Sequence, residues 1–132
     1  MAATGSRYLL DTNIIIALLE GDDTVLSHLD RAHEVFVPAI ALGELFFGAE
    51  KSGRPLENTA KVERFAAGRS VLACDLEVAR EYGRLRQGLR AKGRPLPEND
   101  IWIAAIAKYH DLVLVTRDRH FFEVDNLPVE GW

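Results

Sequence analysis

Apolar residues in this chain fall into short blocks separated by polar turns, and the spacing within each block sets its element. Tyr8-Leu9-Leu10 predicts a buried strand, Asp11-Thr12-Asn13 a polar turn, and Ile14–Leu19 a helix closed by Gly21. Asp22 or Asp23 is placed to cap a helix running through Arg31, where Val25, Leu26 and Leu29 share a face. Val35-Phe36-Val37 predicts a second strand. Pro38 suits the first turn of the helix that follows over Ile40–Ala49, because a first-turn amide hydrogen has no intrahelical partner to lose. Beyond a Gly53-Arg54-Pro55 loop, a polar helix is expected over Leu56–Ala67 and a third strand over Ser70–Cys74. Asp75 stands at a helix N-cap, since Val78, Tyr82, Leu85 and Leu89 recur beyond it at helical spacing, although Gly83 and Gly88 weaken that helix. After the stiff connector Gly93–Pro97, Asn99 is expected to cap an apolar helix over Asp100–Tyr109. Leu112–Thr116 is a continuous, β-branched run, the pattern of a parallel strand covered on both faces.

Strands alternating with helices predict an α/β fold, a three-layer arrangement around a mainly parallel sheet. At 132 residues the chain fits one domain, expected over 8–132 behind a flexible leader over 1–7. The sole cysteine, Cys74, closes no intramolecular disulfide and reads as a small buried hydrophobe at the end of Val71-Leu72-Ala73. No apolar run approaches the roughly 18 residues that cross a bilayer, and Asp11 and Asn13 interrupt the N-terminal one, so cytoplasmic residence without a membrane anchor is expected. The formal net charge of −4 excludes a protein that coats nucleic acid by bulk electrostatics. Any phosphate substrate has to be met locally, with cations reversing the sign of an acidic pocket.

Ligands of open α/β sheets gather beyond the carboxyl ends of the strands. Asp11 follows the first strand directly, and Asp118 follows the last long strand after Arg117. Asp100 opens an almost wholly apolar helix, and Glu44 lies inside Ile40-Ala41-Leu42-Gly43-Glu44-Leu45-Phe46-Phe47, where nearly every neighbour favours burial. Singly, each acid has an ordinary reading as a turn residue, a first-turn charge or one exposed helix position. Together they form a set whose mutual repulsion, if they converge, demands a cation. Oxygen ligands suit Mg²⁺, with Mn²⁺ able to substitute, and such a site suits phosphodiester hydrolysis.

Leu10-Asp11-Thr12-Asn13, Glu44-Leu45-x-x-Gly48, Asn99-Asp100 leading into Ile103-Ala104-Ala105, and Thr116-Arg117-Asp118 ending near Phe121 or Phe122 resemble the signatures of the PIN-domain family, most closely those of the toxin half of VapBC-type toxin–antitoxin pairs. The resemblance runs in order from Tyr8 to the C-terminus. It implies a PIN-like fold, endoribonuclease activity on RNA, dimerisation and inhibition by a cognate VapB-like antitoxin. It further implies a catalytic quartet of Asp11, Glu44, Asp100 and Asp118, with Asp11, Asp100 and Asp118 toward metal and Asn13 and Thr116 as polar helpers. Pro38-Ala39 departs from the small hydroxyl residue that many relatives carry ahead of the glutamate helix.

Arg80, Arg84, Arg86, Arg90, Lys92 and Arg94 crowd a segment in which Glu81 is the only acid, so Arg84, Arg86 and Arg90 are candidate RNA-backbone contacts, set evenly against a solvated helix face. Arg117 either steadies a phosphate or pairs with an acid. The four histidines show no zinc spacing, though His120 is close in sequence to Asp118. Trp102 and Phe46-Phe47 read first as core or interface aromatics and second as base-stacking surfaces. Two other functions compete: a phosphoacceptor domain, which lacks the expected pair of adjacent acids after the first strand, and a PIN fold that only binds. A housekeeping PIN nuclease without an antitoxin is a third.

Overall fold

Side chains alternate across the strands, and this period of two divides the core into halves. The computed structural model describes residues 6–132. Its elements are β1 (Arg7–Leu10), α1 (Thr12–Leu19), α2 (Asp23–Arg31), β2 (Glu34–Pro38), α3 (Ala39–Glu50), α4 (Pro55–Ala67), β3 (Ser70–Leu72), α5 (Leu76–Ala91), α6 (Glu98–Tyr109), β4 (Val113–Val115), a 3₁₀ helix (Arg119–Glu123) and β5 (Val129–Glu130). Tyr8, Leu10, Val113 and Val115 point to one face, where they pack with residues of α1 to α4 such as Ile14, Val25, Leu42 and Phe65. Leu9 and Leu114 point to the other, against Val78 and Leu89 of α5 and Ile103 and Ile106 of α6. The three-layer expectation follows from this alternation.

All four strand pairings are parallel, in the order β3-β2-β1-β4-β5. The chain builds outward from β1 to β2 and β3 on one side and places β4 and β5 on the other. Between β1 and β4 lies the reversal of strand order at which open α/β sheets hold ligands. Tyr8, Leu9 and Leu10 register with Val113, Leu114 and Val115, so both strands end level.

The helices form largely where periodicity places them. α5 runs unbroken through Gly83 and Gly88, whose missing side chains face open space and cost nothing in packing. Asp75 accepts from Val78 N at 3.0 Å, and Asp22 caps α2 through Thr24 N and Val25 N. α6 buries Ile101 and Ile103–Ala107 because it lies between the sheet, α3 and α5. Gly21, at φ +80°, makes the left-handed turn between α1 and α2.

Several local expectations change. Asn99 caps nothing: α6 starts at Glu98 behind Pro97, with Asn99 inside its first turn. Pro38 ends β2 and precedes α3 instead of entering it. Cys74 is exposed, because β3 is an edge strand that stops at Leu72 and leaves Val71 43% exposed before the chain turns to Asp75. The 3₁₀ helix and β5 had no sequence counterpart, being too short to show a period. Of the leader expected over 1–7, residues 1–5 lie outside the described residues, Ser6 is buried, and Arg7 opens β1. Among the described residues, no helix is long and apolar enough to cross a membrane.

Candidate active site

Where β1 and β4 end side by side, the chain turns a carboxylate and a hydroxyl toward each other. Asp11 N donates to Val115 O at 2.9 Å, which fixes Asp11 one step beyond the paired strands and opposite Thr116. Asp11 is only 4% exposed. Its Oδ1 accepts from Thr12 N at 2.8 Å, while its Oδ2 accepts from Thr116 Oγ1 at 2.7 Å and Asn13 Nδ2 at 3.3 Å. Thr116 Oγ1 in turn accepts from Asn13 Nδ2 and from Asp118 N, and Arg117 N donates to Asn13 Oδ1. Asn13 and Thr116 thus brace Asp11 at the edge of the sheet.

The remaining acids arrive on different elements. Glu44 projects from the exposed side of α3, and its Oε1 accepts from Thr12 Oγ1 at 2.7 Å. Asp100 sits in the first turn of α6, where a negative charge favours the helix dipole, and Asp118 caps the 3₁₀ helix through His120 N. His120 joins them: Nε2 lies 2.7 Å from Asp100 Oδ2 and Nδ1 lies 2.9 Å from Asp118 Oδ1. One ligand atom from each of Asp100, Asp118 and His120 falls within 4.8 Å of the others. Asp11 lies outside this trio and deeper, with both oxygens engaged.

The acids also feel one another's charge. Burial pushes the Asp11 carboxyl above its usual range, opposed by the bonds from Thr116 and Thr12 and reinforced by the negative charges of Asp100 and Glu44. Burial also raises Asp100, against the stabilising contact of His120 and with added repulsion from Asp118 and Glu44. Asp11 and Asp100 therefore carry their negative charge at a cost, set by burial first and by neighbouring acids second. Carboxylate oxygens gathered at this edge, with Asp11 and Asp100 repelled by neighbouring acids, fit a divalent cation. Thr12 is the participant that sequence reasoning passed over, while His120 was set near the site but not among its main residues. The signal for Thr12 was a hydroxyl directly after a strand-end acid; for His120 there was only proximity to Asp118.

Other candidates lie elsewhere. Arg117 donates from Nη2 to Asp22 at 3.0 Å and from Nε to Trp132 O at 2.9 Å, clamping the C-terminus to α2. Arg84 pairs with Glu81, and Arg86 donates to Tyr82 Oη at 2.6 Å. Arg86 and Arg90 border a groove of about 400 Å³ with Leu96, Glu98 and Ile101, next to the helix that carries Asp100. Trp102 stacks on Tyr82 at 3.9 Å and is a packing residue. Phe47, 65% exposed, and Cys74 line an open depression that also contains Glu44 and Asn99. Partial desolvation and neighbouring Asp75 raise the Cys74 thiol pKa, which disfavours a thiolate nucleophile.

A profile of the PIN domain matches residues 8–127. Ribonuclease VapC2 of Haemophilus influenzae is 36% identical, over 96% of this chain and 98% of that protein. A tRNA(fMet)-specific endonuclease VapC of Shigella flexneri is 33% identical over the same shares. Among solved structures, DNA-bound VapBC from Salmonella typhimurium superposes with a TM-score of 0.91 at 32% identity, covering 96% of this chain and 98% of that one. VapBC2 from Rickettsia felis, bound to a fragment of its promoter, gives 0.89 at 28% identity, covering 95% and 98%.

Proposed function

Because the chain belongs to the PIN domain family, we propose that it is a divalent-metal-dependent endoribonuclease, the toxin of a type II toxin–antitoxin pair. What supports this reading is the meeting of Asp100 and Asp118, with ligand atoms within 4.8 Å of each other, beside a buried Asp11 that feels the charges of Asp100 and Glu44 at the strand-order reversal. Asp100 and Asp118 would hold the cation directly, with Asp11 behind them. When bound, Mg²⁺ or Mn²⁺ supplies Lewis-acid activation of water and neutralises phosphate charge.

The chain's own residues divide the remaining work. Asp11 is immobilised by Thr12, Asn13 and Thr116, so its charge is fixed before substrate arrives. Thr12 engages Oε1 of Glu44 and leaves Oε2 to accept a proton from an attacking water. Arg84, Arg86 and Arg90 guide the RNA backbone toward α6, a role for which Arg117, tied to Asp22 and Trp132, is less free.

A VapB-like antitoxin and a second copy of the chain are the proposed protein partners. Exposed apolar side chains on α3 and α4, Phe47 at 65% and Leu56 at 90%, support contact with a protein surface. An antitoxin arginine entering the acidic pocket would pair with the quartet through its planar fork. The proposed site of action is the cytoplasm, where the RNA is. The relatives described as tRNA(fMet)-specific make tRNA the first substrate to assay. Purified protein should cleave RNA only with Mg²⁺ or Mn²⁺, and its expression alone should arrest growth until the antitoxin is supplied. A wild-type protein that is harmless and leaves cellular RNA intact would instead favour a PIN fold that only binds.

A further inference from the structure

The single turn after Asp118 sends its side chains to three different places. Phe121 is fully buried and anchors the turn in the core, while His120 turns inward to Asp100 and Asp118. Arg119 and Phe122 are three residues apart on a 3₁₀ helix, where such positions eclipse one another, and both are exposed. Phe122 is 65% exposed despite its apolar ring. The two residues line an open groove of about 570 Å³ together with Gly93, Arg94, Pro95 and Leu96. His120 belongs both to this groove and to the acidic cluster, so the two are continuous. Glu123 also lines the groove and lies 3.6 Å from Arg94, which offsets that cation and leaves Arg119 as the less compensated one.

We propose that this groove is the subsite for a nucleotide adjoining the scissile phosphate, its base stacked on Phe122 and its phosphate met by Arg119. The inference rests on the ribonuclease reading and adds to it where the substrate lies. An exposed ring beside a guanidinium is the pairing that binds single-stranded nucleic acid, because any base offers a π face and each phosphate a charge. On a chain of net negative charge, such a local cationic contact adds to what a bound metal supplies to the phosphates. An acidic segment of a protein partner could meet Arg119, but would leave the ring without a flat apolar surface to cover.

The test first maps where wild-type protein with Mn²⁺ cuts tRNA, then follows kinetics on that RNA. Arg119→Gln and Phe122→Leu should each raise KM, Phe122→Leu by about fivefold to a hundredfold, the range of base stacking on an aromatic ring. kcat and calorimetric Mn²⁺ affinity should stay near wild type, and Phe122→Trp should restore KM. In a single-turnover experiment, 2-aminopurine placed on either side of the cut should be quenched on binding at one position. That quenching should persist in Phe122→Trp and vanish in Phe122→Leu. Because wild type alone reports quenching, absence of quenching at both positions overturns the subsite even if Phe122→Leu misfolds. Cleavage with unchanged KM in both variants overturns it too, as does loss of antitoxin co-purification with KM intact, which assigns the groove to a protein. No cleavage of any RNA by wild type defeats the ribonuclease reading itself.

Discussion

Replacing Asp11 by asparagine keeps side-chain volume and removes one charge, so its consequences can be worked from the bonds around it. Thr116 Oγ1 already accepts from Asn13 Nδ2 and Asp118 N and gives its only hydrogen to Asp11. An asparagine oxygen can serve Thr12 N or Thr116 Oγ1, but its amide group then faces a donor at the other side. One buried hydrogen bond is lost in either orientation, costing about 1–3 kcal/mol. Against this, the substitution removes a carboxylate that burial, Asp100 and Glu44 all disfavour in its charged form. The opposing contributions should leave the variant folded, within about 10 °C of wild type in Tm. The pH dependence carries the sign. The folded-state pKa of Asp11 lies above its ordinary 3.8, so its favourable contribution is complete below that value and is lost as pH rises through the raised pKa. Relative to wild type, Asp11→Asn should therefore be more stable near neutrality than in acid. Cleavage should fall by at least about a hundredfold, since even groups that only orient metal ligands cost about 10- to 100-fold. Thermal melts without metal at two pH values, Mn²⁺ calorimetry and tRNA cleavage with Mn²⁺ measure these effects separately. A folded variant that cleaves within about threefold of wild type, against that 100-fold scale, would refute the reasoning.

Thr116→Val should destabilise by about 1–3 kcal/mol and lower activity, because a hydroxyl serving three partners is lost, while Thr116→Ser should recover both in melts and cleavage assays. Arg117→Ala should lower Tm at neutral pH yet leave RNA KM unchanged. Its partner Asp22 has a depressed pKa, chiefly from the Arg117 hydrogen bond, so the stability it contributes is present above 3.8 and is lost as pH falls through the folded pKa. The Arg117→Ala difference should thus shrink in acid melts to what the bond to the Trp132 carbonyl contributes. Reversing Arg84, Arg86 and Arg90 to glutamate should weaken RNA binding and flatten its salt dependence with Mn²⁺ affinity intact; an unchanged salt slope would mark α5 as a solvated or partner-binding face.

Periodicity and end signals along the chain determined the alternating elements, the three layers and the four acids, because strands that alternate and helices that repeat leave their period in the sequence. Leu9 facing one way and Tyr8 and Leu10 the other is written in the order of residues and recovered in the two halves of the core. Asp11 and Asp118 were legible because strand ends at a parallel sheet mark a common edge. Other features depended on which elements became neighbours, and local pattern does not encode that. Cys74 followed an apolar run but ended beyond an edge strand, where no second layer covers it. Arg117 sat beside Asp118 in sequence, yet its guanidinium found Asp22 and the carbonyl of Trp132, distant in sequence and adjacent only after folding. The bridge from His120 to Asp100 spans twenty positions, and the bond from Thr12 to Glu44 spans 32. Both arise because β1, β4, α3 and α6 meet at one reversal of strand order. Sequence thus supplied the charges and the surfaces that bury, while their distances, and with them the chemistry they can share, were set by the packing of elements far apart in the chain.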